Sequence, residues 1–211
     1  MKVAITGTTS GFGLVLKECF EGHGDTVVSI DKEDFDLSTI HGIEGAILHL
    51  HQLFSFFDLI INNAGILILH EDRYALKEVV PMVNLNLLAV HQIMEAAPRL
   101  LNTTGNIINI ASVSGLNSDP DTPLYGATKA GVISLTKSFA KLYAPKIRVN
   151  CISPGFHSTN LVPAALPQKL LDKVPMKYEG RATGIIPVVQ CILDSPYMTG
   201  ANIVLDGGLS L

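Results

Sequence analysis

Short β-branched runs alternate with longer helical patterns through the whole chain, and few folds accommodate that order. Lys2 to Thr6 precedes a helical pattern from about Gly11 to Gly22, and Thr26 to Ile30 precedes another near Ser38 to Phe54. The alternation continues through Phe57 to Ile61, a long helix from about Ala75 to Leu100, Gly105 to Ala111, a helix from about Leu124 to Tyr143, Ile147 to Ile152, and Asn202 to Leu205. Apolar runs bounded by turn residues and separated by helix-length segments predict βαβ units. The expected class is α/β: a Rossmann-type, doubly wound parallel sheet of about six to seven strands with helices on both faces. A length of 211 residues and 47 % hydrophobic composition suit one domain over 1–211 with a continuous core.

One connection is abnormal. Only Lys32 to Phe35 separates Asp31, at the end of the second strand, from Asp36. A parallel crossover needs roughly a dozen residues or more, so Asp34 to Leu37 cannot be an ordinary next strand. The expectation is a sheet that has lost its strand beyond the second one, with Asp36 and Leu37 crossing the top of the sheet and Ser38 capping the next helix. The Pro-rich stretch from Pro154 to Pro175 is expected to form a loop over the carboxyl edge of the sheet, with a substrate-covering loop at about 156–180. Open α/β sheets bind ligands at that edge.

A formal net charge of -4 and the lack of a basic run argue against nucleic acid. No apolar stretch reaches the roughly 18 to 20 residues of a membrane span, which argues against a membrane role. The start, Met1 to Gly7, lacks the apolar core of a secretory signal, and a cytoplasmic chain is expected. Cys19, Cys151 and Cys191 are widely separated in apolar segments, so they read as small buried hydrophobes rather than as a disulfide framework. His49 and His51 are the closest histidine pair, but residues two apart on a helix face different ways, and no metal site is expected.

Thr6-Gly7-Thr8-Thr9-Ser10-Gly11-Phe12-Gly13 joins the first strand to the first helix. Backbone N–H groups and the positive helix end there can face a pyrophosphate, and glycines permit close approach. The spacing is GxxxGxG, a weak signal alone that gains weight from its place at the first βα turn. Asp31 follows Gly13 at close to the roughly twenty-residue offset at which an acid meets the adenosine ribose, which favours NAD(H) over NADP(H). No Arg or Lys lies between Gly7 and Gly13; Lys32, beside Asp31, is the one cation placed to oppose that preference.

Tyr125 and Lys129 stand four apart in a helical pattern, so both lie on one face. A phenol with a pKa near 10 is a sluggish proton donor at neutral pH, and bringing it there takes about 4 kcal/mol. A unit positive charge at ~4 Å supplies about that much at an effective dielectric of 20. Ser112 lies just past the strand Gly105 to Ala111, at the edge where that helix also begins, and its hydroxyl is placed to bond a substrate oxygen.

These motifs make the chain similar to a short, single-domain member of the short-chain dehydrogenase/reductase family. The resemblance runs nearly end to end: Thr6 to Gly13, Asn62 to Gly65, Asn109 to Gly115, Tyr125 to Lys129, Arg148 to Gly155, Thr159, and Thr199-Gly200 through Asp206-Gly207-Gly208. It implies an oxidoreductase that moves a hydride between a nicotinamide cofactor and a carbonyl or secondary alcohol. Tyr125 is implied as general acid and base, Ser112 as the group that orients the carbonyl, and Lys129 as the residue that lowers the tyrosine pKa and holds the nicotinamide ribose. Asn86 is implied as a proton-relay residue, with Asn84 as a rival alignment. For the cofactor, the resemblance implies Gly7, Thr9, Ser10, Gly11, Phe12 and Gly13 at the pyrophosphate, with Asp31, Asn63, Ala64 and Gly65 at the adenosine ribose. Asp36 and Leu37 fall at the adenine. Ile110, Ile152, Pro154, Gly155 and Thr159, with Tyr125 and Lys129, fall at the nicotinamide end.

The chain departs from the family pattern twice. The helix that normally separates Asp31 from the adenine-contacting pair is missing, and the span from Thr159 to Tyr178 is short. Phe156, His157, Leu161 and Leu166 are the candidates to line an open, partly apolar pocket. The resemblance further implies a homo-oligomer, tetramer or dimer, built on the helices near Ala75 to Leu100 and Leu124 to Tyr143. A catalytically inactive dinucleotide-binding sensor or scaffold is the alternative from another functional class.

Overall fold

Every strand expected from the apolar runs lies in one parallel sheet in a computed structural model of the chain, which describes residues 1–69, 75–117, 120–159, 161 and 167–211. Its strands are β1 (Lys2–Thr6), β2 (Thr26–Ile30), β3 (Phe57–Asn62), β4 (Leu101–Ile110) and β5 (Arg148–Pro154). Two-residue strands β6 (His157–Ser158) and β7 (Gly180–Arg181) pair with each other, and β8 (Asn202–Leu205) completes the main sheet. The six strands run in the order β2-β1-β3-β4-β5-β8, all parallel. The helices are α1 (Gly11–Gly22), α2 (Ile40–Leu53), α3 (Leu76–Val83), α4 (Ala89–Leu100), α5 (Pro123–Tyr143), α6 (Gln168–Leu171) and α7 (Ile185–Leu193).

Both faces of the sheet are covered, which is why its strands read as continuous apolar runs instead of alternating ones. Val3, Ile5, Leu59, Ile61, Ile108 and Ile110 face Leu16 and Phe20 of α1 and Ile185, Val189 and Ile192 of α7. Their neighbours Ala4, Ile60, Ile107 and Val149 face α2, α4 and α5 through Ile43, Leu50, Ile93, Val132 and Phe139. The period of two along each strand thus divides one apolar run between two cores.

No strand lies between β2 and α2. The chain turns back at once, with the N–H groups of Asp34 and Phe35 donating to the Asp31 carbonyl at 3.1 and 2.9 Å. Leu37 then drops into the core that α2 shares with the sheet. The helix cap differs from expectation by one residue. Thr39, in extended backbone, accepts the Gly42 N–H on its side-chain oxygen at 3.0 Å, whereas Ser38 spends its hydroxyl on the Asp36 carboxylate at 2.6 Å.

Other boundaries also move. The long helix expected from Ala75 to Leu100 is two helices joined by a five-residue π turn, Asn84–Leu88. β4 starts at Leu101, not Gly105, because Leu101 pairs with Phe57 before a bulge shifts the register so that Asn106 pairs with Leu59. α6 and β6 fall in the stretch read as loop, about 156–180, β7 at its end, and α7 in a stretch to which the sequence reading assigned no element. In α7 the buried Ile185, Val189 and Ile192 recur at helical spacing, while Pro187, Gln190 and Cys191 face solvent. Of the three cysteines only Cys151 is buried; Cys19 is half-buried and Cys191 exposed, each on a helix whose outer face reaches solvent. Arg148 packs against the end of α7, its guanidinium donating to the carbonyls of Ile192, Ser195 and Met198 at 2.9 to 3.1 Å. A cation at a helix C-terminus meets its unpaired carbonyls and the negative end of its dipole. No helix among the described residues is long and apolar enough to cross a membrane.

Candidate active site

The order β2-β1-β3 places a reversal of winding direction between β1 and β3, and a crevice opens there above the strand ends. Its floor is the turn from β1 into α1. Gly7 has a left-handed backbone (φ +71°), and a Cβ on Gly13 would lie 1.9 Å from the Gly7 carbonyl oxygen, so only glycine lets α1 begin this close to the loop. Asn63, just past β3, donates from its carboxamide to the carbonyls of Thr6 and Gly7 at 2.9 and 2.7 Å. The Thr6 hydroxyl accepts the N–H groups of Asn63 and Ala64 in return. The two strand-end loops therefore form one rigid lip.

At the other end of the crevice stand Ser112, after β4, and Tyr125 and Lys129, on successive turns of α5. All three are buried. The Tyr125 hydroxyl is hydrogen-bonded to Ser112, whose Oγ also accepts the Ser114 N–H at 3.1 Å. Lys129 donates from Nζ to the Ile110 carbonyl at 2.8 Å and lies 5.8 Å from the Tyr125 ring centroid. Burial pushes the Tyr125 phenol up to about 12, with the Ser112 bond pulling the other way, and pushes the Lys129 ammonium down to about 8. The sequence expectation was a tyrosine lowered by its lysine. In this structure desolvation of the phenol outweighs every opposing influence.

Asn86 sits in the π turn, fully buried. Its Oδ1 accepts the Ile66 N–H at 2.9 Å and its Nδ2 donates to the Ile66 carbonyl at 2.8 Å. A Cβ added to Gly65 would lie 3.3 Å from Asn86 Oδ1 and 3.5 Å from Lys129 Nζ, which measures how tightly the two side chains close on one backbone segment. Asn84 points elsewhere and donates to the Ser38 carbonyl at 2.8 Å. Of the rival alignments, Asn86 is the one beside Lys129.

Ser112, Tyr125 and Lys129 line a single cleft of about 460 Å³ with the Gly7 loop, whereas Asn86 is buried behind its wall. The family model described as enoyl-(acyl carrier protein) reductase matches residues 13–210. The 3-oxoacyl-[acyl-carrier-protein] reductase FabG of Thermotoga maritima is 31 % identical, with 97 % of this chain and 96 % of that protein covered. An uncharacterized short-chain type dehydrogenase/reductase, y4vI of Sinorhizobium fredii, is 28 % identical over 98 % of this chain; the chain spans only 43 % of that protein's length. Among solved structures, 4-hydroxyisoleucine dehydrogenase complexed with NADH superposes with a TM-score of 0.90 at 28 % identity, covering 99 % of this chain and 98 % of the other. The chain belongs to the short-chain dehydrogenase/reductase family. It is an oxidoreductase of that kind.

Within this short-chain dehydrogenase/reductase, most of the residues singled out in the sequence meet at the cleft. Gly7, Thr9, Ser10, Gly11 and Phe12 line its floor, and Asp31, Asp36 and Leu37 line one end beside Asn63, Ala64 and Gly65. Ile110, Ser112, Tyr125 and Lys129 line the other end with Pro154, Gly155 and Thr159. Gly13 lies beneath the loop instead of on the wall, and Ile152 is fully buried inside β5. Phe156, His157 and Leu161 reach the cleft; Leu166 falls outside the described residues. His157 is buried edge-on against Phe12, ring centroids 5.1 Å apart, and that burial holds its pKa below the ordinary imidazole value. His49 and His51 lie away from the cleft on α2, and no group of metal-ligating side chains occurs among the described residues.

Asp31 is anchored from two sides. Thr8 donates to it from both its backbone N–H and its hydroxyl, the latter at 2.7 Å. Each carboxylate oxygen keeps a further lone pair to offer into the cleft. Wall residues that the sequence reading did not single out include Phe35, in the four-residue turn after Asp31, Ile66 and Leu67, just past Gly65, and Leu85, in the π turn. None of these four carries a local motif that marks it.

Proposed function

We propose that the chain transfers a hydride between a nicotinamide dinucleotide, NAD(H) in preference to NADP(H), and a carbonyl or secondary alcohol. The observation that carries this reading is the meeting of Ser112, Tyr125 and Lys129 at one end of a cleft whose other end presents Asp31. The residues fit a dinucleotide: the position of Gly13 has no room for a side chain under the loop, and the cleft runs unbroken from Asp31 to Tyr125.

The nicotinamide, when bound, supplies or takes up the hydride. The chain does the rest. The Ser112 hydroxyl orients the substrate oxygen, and Tyr125 gives that oxygen a proton in reduction and removes it in oxidation. The phenol stands near 12 with Lys129 already beside it, so a further positive charge, such as an oxidised nicotinamide ring would supply, is needed to bring it into working range. Asn86, by gripping Ile66 beside Lys129, holds the segment through which a proton would pass to solvent. The backbone at Pro154 and Gly155, with Thr159, bounds the nicotinamide end, and Phe156, His157 and Leu161 line the wall on the substrate side of what we read as a single domain.

The relatives reduce 3-oxoacyl carriers or oxidise a hydroxylated amino acid by name. A panel holding 3-oxoacyl thioesters, secondary-alcohol amino acids, sugars and simple ketones, scored by reduced-nicotinamide absorbance with each cofactor, tests the reading. Turnover of none of them, with neither NADH nor NADPH bound, overturns it. A sensor without chemistry is disfavoured, since it has no need of a hydroxyl pair backed by a buried ammonium.

A further inference from the structure

The connection between Asp31 and α2 is shorter than a parallel crossover allows, and its consequence falls on Phe35. The turn at Asp31 swings Phe35 back toward α2, its own N–H donating to the Asp31 carbonyl at 2.9 Å. Two glycines one helical turn apart receive this segment. A Cβ at Gly42 would meet the Asp36 carbonyl oxygen at 2.1 Å, and one at Gly45 would touch the Phe35 ring at 3.3 Å. The ring also packs on His49, centroids 5.1 Å apart and tilted by 38°. Held this way, Phe35 is half-buried, and its remaining surface joins Asp31, Lys32 and Leu37 on the wall of the cleft at the end away from Tyr125.

A flat apolar ring held between a helix and a ligand cleft, beside a carboxylate suited to ribose hydroxyls, suits a purine base. We propose that Phe35 is the adenine platform of this enzyme, replacing the sheet edge that the shortened connection removed. The proposal rests on the dinucleotide reading of the cleft. It makes Phe35 a specificity-determining residue: it favours cofactors that carry an adenine and is indifferent to the nicotinamide half.

Titration of the full chain with NADH, AMP and reduced nicotinamide mononucleotide separates the two halves. In Phe35→Ala, NADH and AMP should bind about tenfold more weakly, the scale of one base stacked on an aromatic ring, while the mononucleotide binds as before. Phe35→Leu keeps most of the volume packed on Gly45 and His49 but removes the flat face; it should show the same selective loss, and it carries the test if the alanine variant unfolds. Unchanged NADH and AMP affinity in Phe35→Leu, or equal weakening of all three probes, overturns the platform while leaving the dinucleotide reading intact. Failure of the unaltered protein to bind NADH, NADPH and AMP overturns both.

Discussion

Lys129 donates its ammonium proton to the carbonyl of Ile110 at 2.8 Å, so the last residue of β4 holds the cation of α5 in place. One turn earlier on the same helix, Tyr125 presents a buried phenol to Ser112. Replacing that phenol alone is the direct test of its role. Tyr125→Phe should retain cofactor affinity and lose turnover by at least two to three decades, measured as kcat with saturating cofactor. Near-normal activity in this variant would remove Tyr125 from the mechanism.

The same lysine should cost the fold stability. Its folded pKa of about 8 lies below the ordinary 10.5, because burial disfavours the charged form. Below pH 8 both folded and unfolded chains hold the proton and the penalty is complete; it is relieved as pH rises from 8 through 10.5. Lys129→Met should therefore be more stable than the parent at pH 7 by about 2 kcal/mol and lose that advantage toward pH 10.5, while losing activity throughout. Denaturant unfolding of both proteins across this range decides it; an advantage independent of pH would contradict the buried-ammonium account.

The sheet and the catalytic pair were legible because each leaves a local mark. Runs such as Val3 to Ile5 are apolar on both pleat faces, and the four-residue spacing of Tyr125 and Lys129 puts them on one side of a helix. What escaped depends on distant partners. α7 carries helical spacing in Ile185, Val189 and Ile192, but it is only nine residues long with a proline at its third position, too short a run for period to separate helix from strand. The π turn at Asn84–Leu88 is a change of hydrogen-bond register within an ordinary-looking helix, yet it is what seats Asn86 against Ile66. Ser38 and Thr39 are equally good caps by composition; only the carboxylate of Asp36 decides between them. Phe35 reads as any loop aromatic until Gly42 and Gly45 fold under it.

Cofactor preference turns on Asp31. Its carboxylate is fixed by Thr8 and faces the cleft, so NAD(H) should bind more tightly than NADP(H) by roughly 1 to 3 kcal/mol, the scale of a carboxylate opposed to a phosphate. Asp31→Asn keeps an acceptor for Thr8 and removes the charge. In that variant the gap should close or reverse, because Lys32 then stands unopposed at the same end of the cleft. Dissociation constants for both cofactors, measured on both proteins at one salt concentration, provide the comparison. Equal affinities in the unaltered protein would show that Lys32 already dominates.

Association is expected through the helices on one face of the sheet. Leu76 and Val80 of α3 and Leu142 of α5 are among the exposed apolar side chains, at 78, 51 and 65 % exposure. Scattered apolar residues are normal on any surface, but these lie on the helices that the family resemblance implies as the interface. Sedimentation should report a dimer or a tetramer, and a Leu142→Glu variant should shift the distribution toward smaller species. A monomer at micromolar concentration in the unaltered protein would refute the assignment.

The shortened connection makes its own prediction at Gly42. In an ordinary helix interior, Gly→Ala stabilises by up to about 1 kcal/mol through backbone entropy and propensity. Here the new Cβ would lie 2.1 Å from the carbonyl oxygen of Asp36 and 2.5 Å from its carbon. Those are backbone atoms of a segment pinned by the Asp31 carbonyl on one side and the Thr39 cap on the other, so the strain cannot be relieved by turning a side chain. The overpacking penalty, about 1 to 3 kcal/mol, should exceed the helix gain and leave Gly42→Ala less stable than the parent. Gly22, at the end of α1, has nothing within 4 Å of its added Cβ, so Gly22→Ala should be neutral or stabilising. The displaced segment carries Asp36 and Leu37 on the cleft wall, so Gly42→Ala should also weaken NADH, which Gly22→Ala should not. A Gly42→Ala protein with raised melting temperature and unchanged NADH affinity would mean that the turn does not sit on α2 as described.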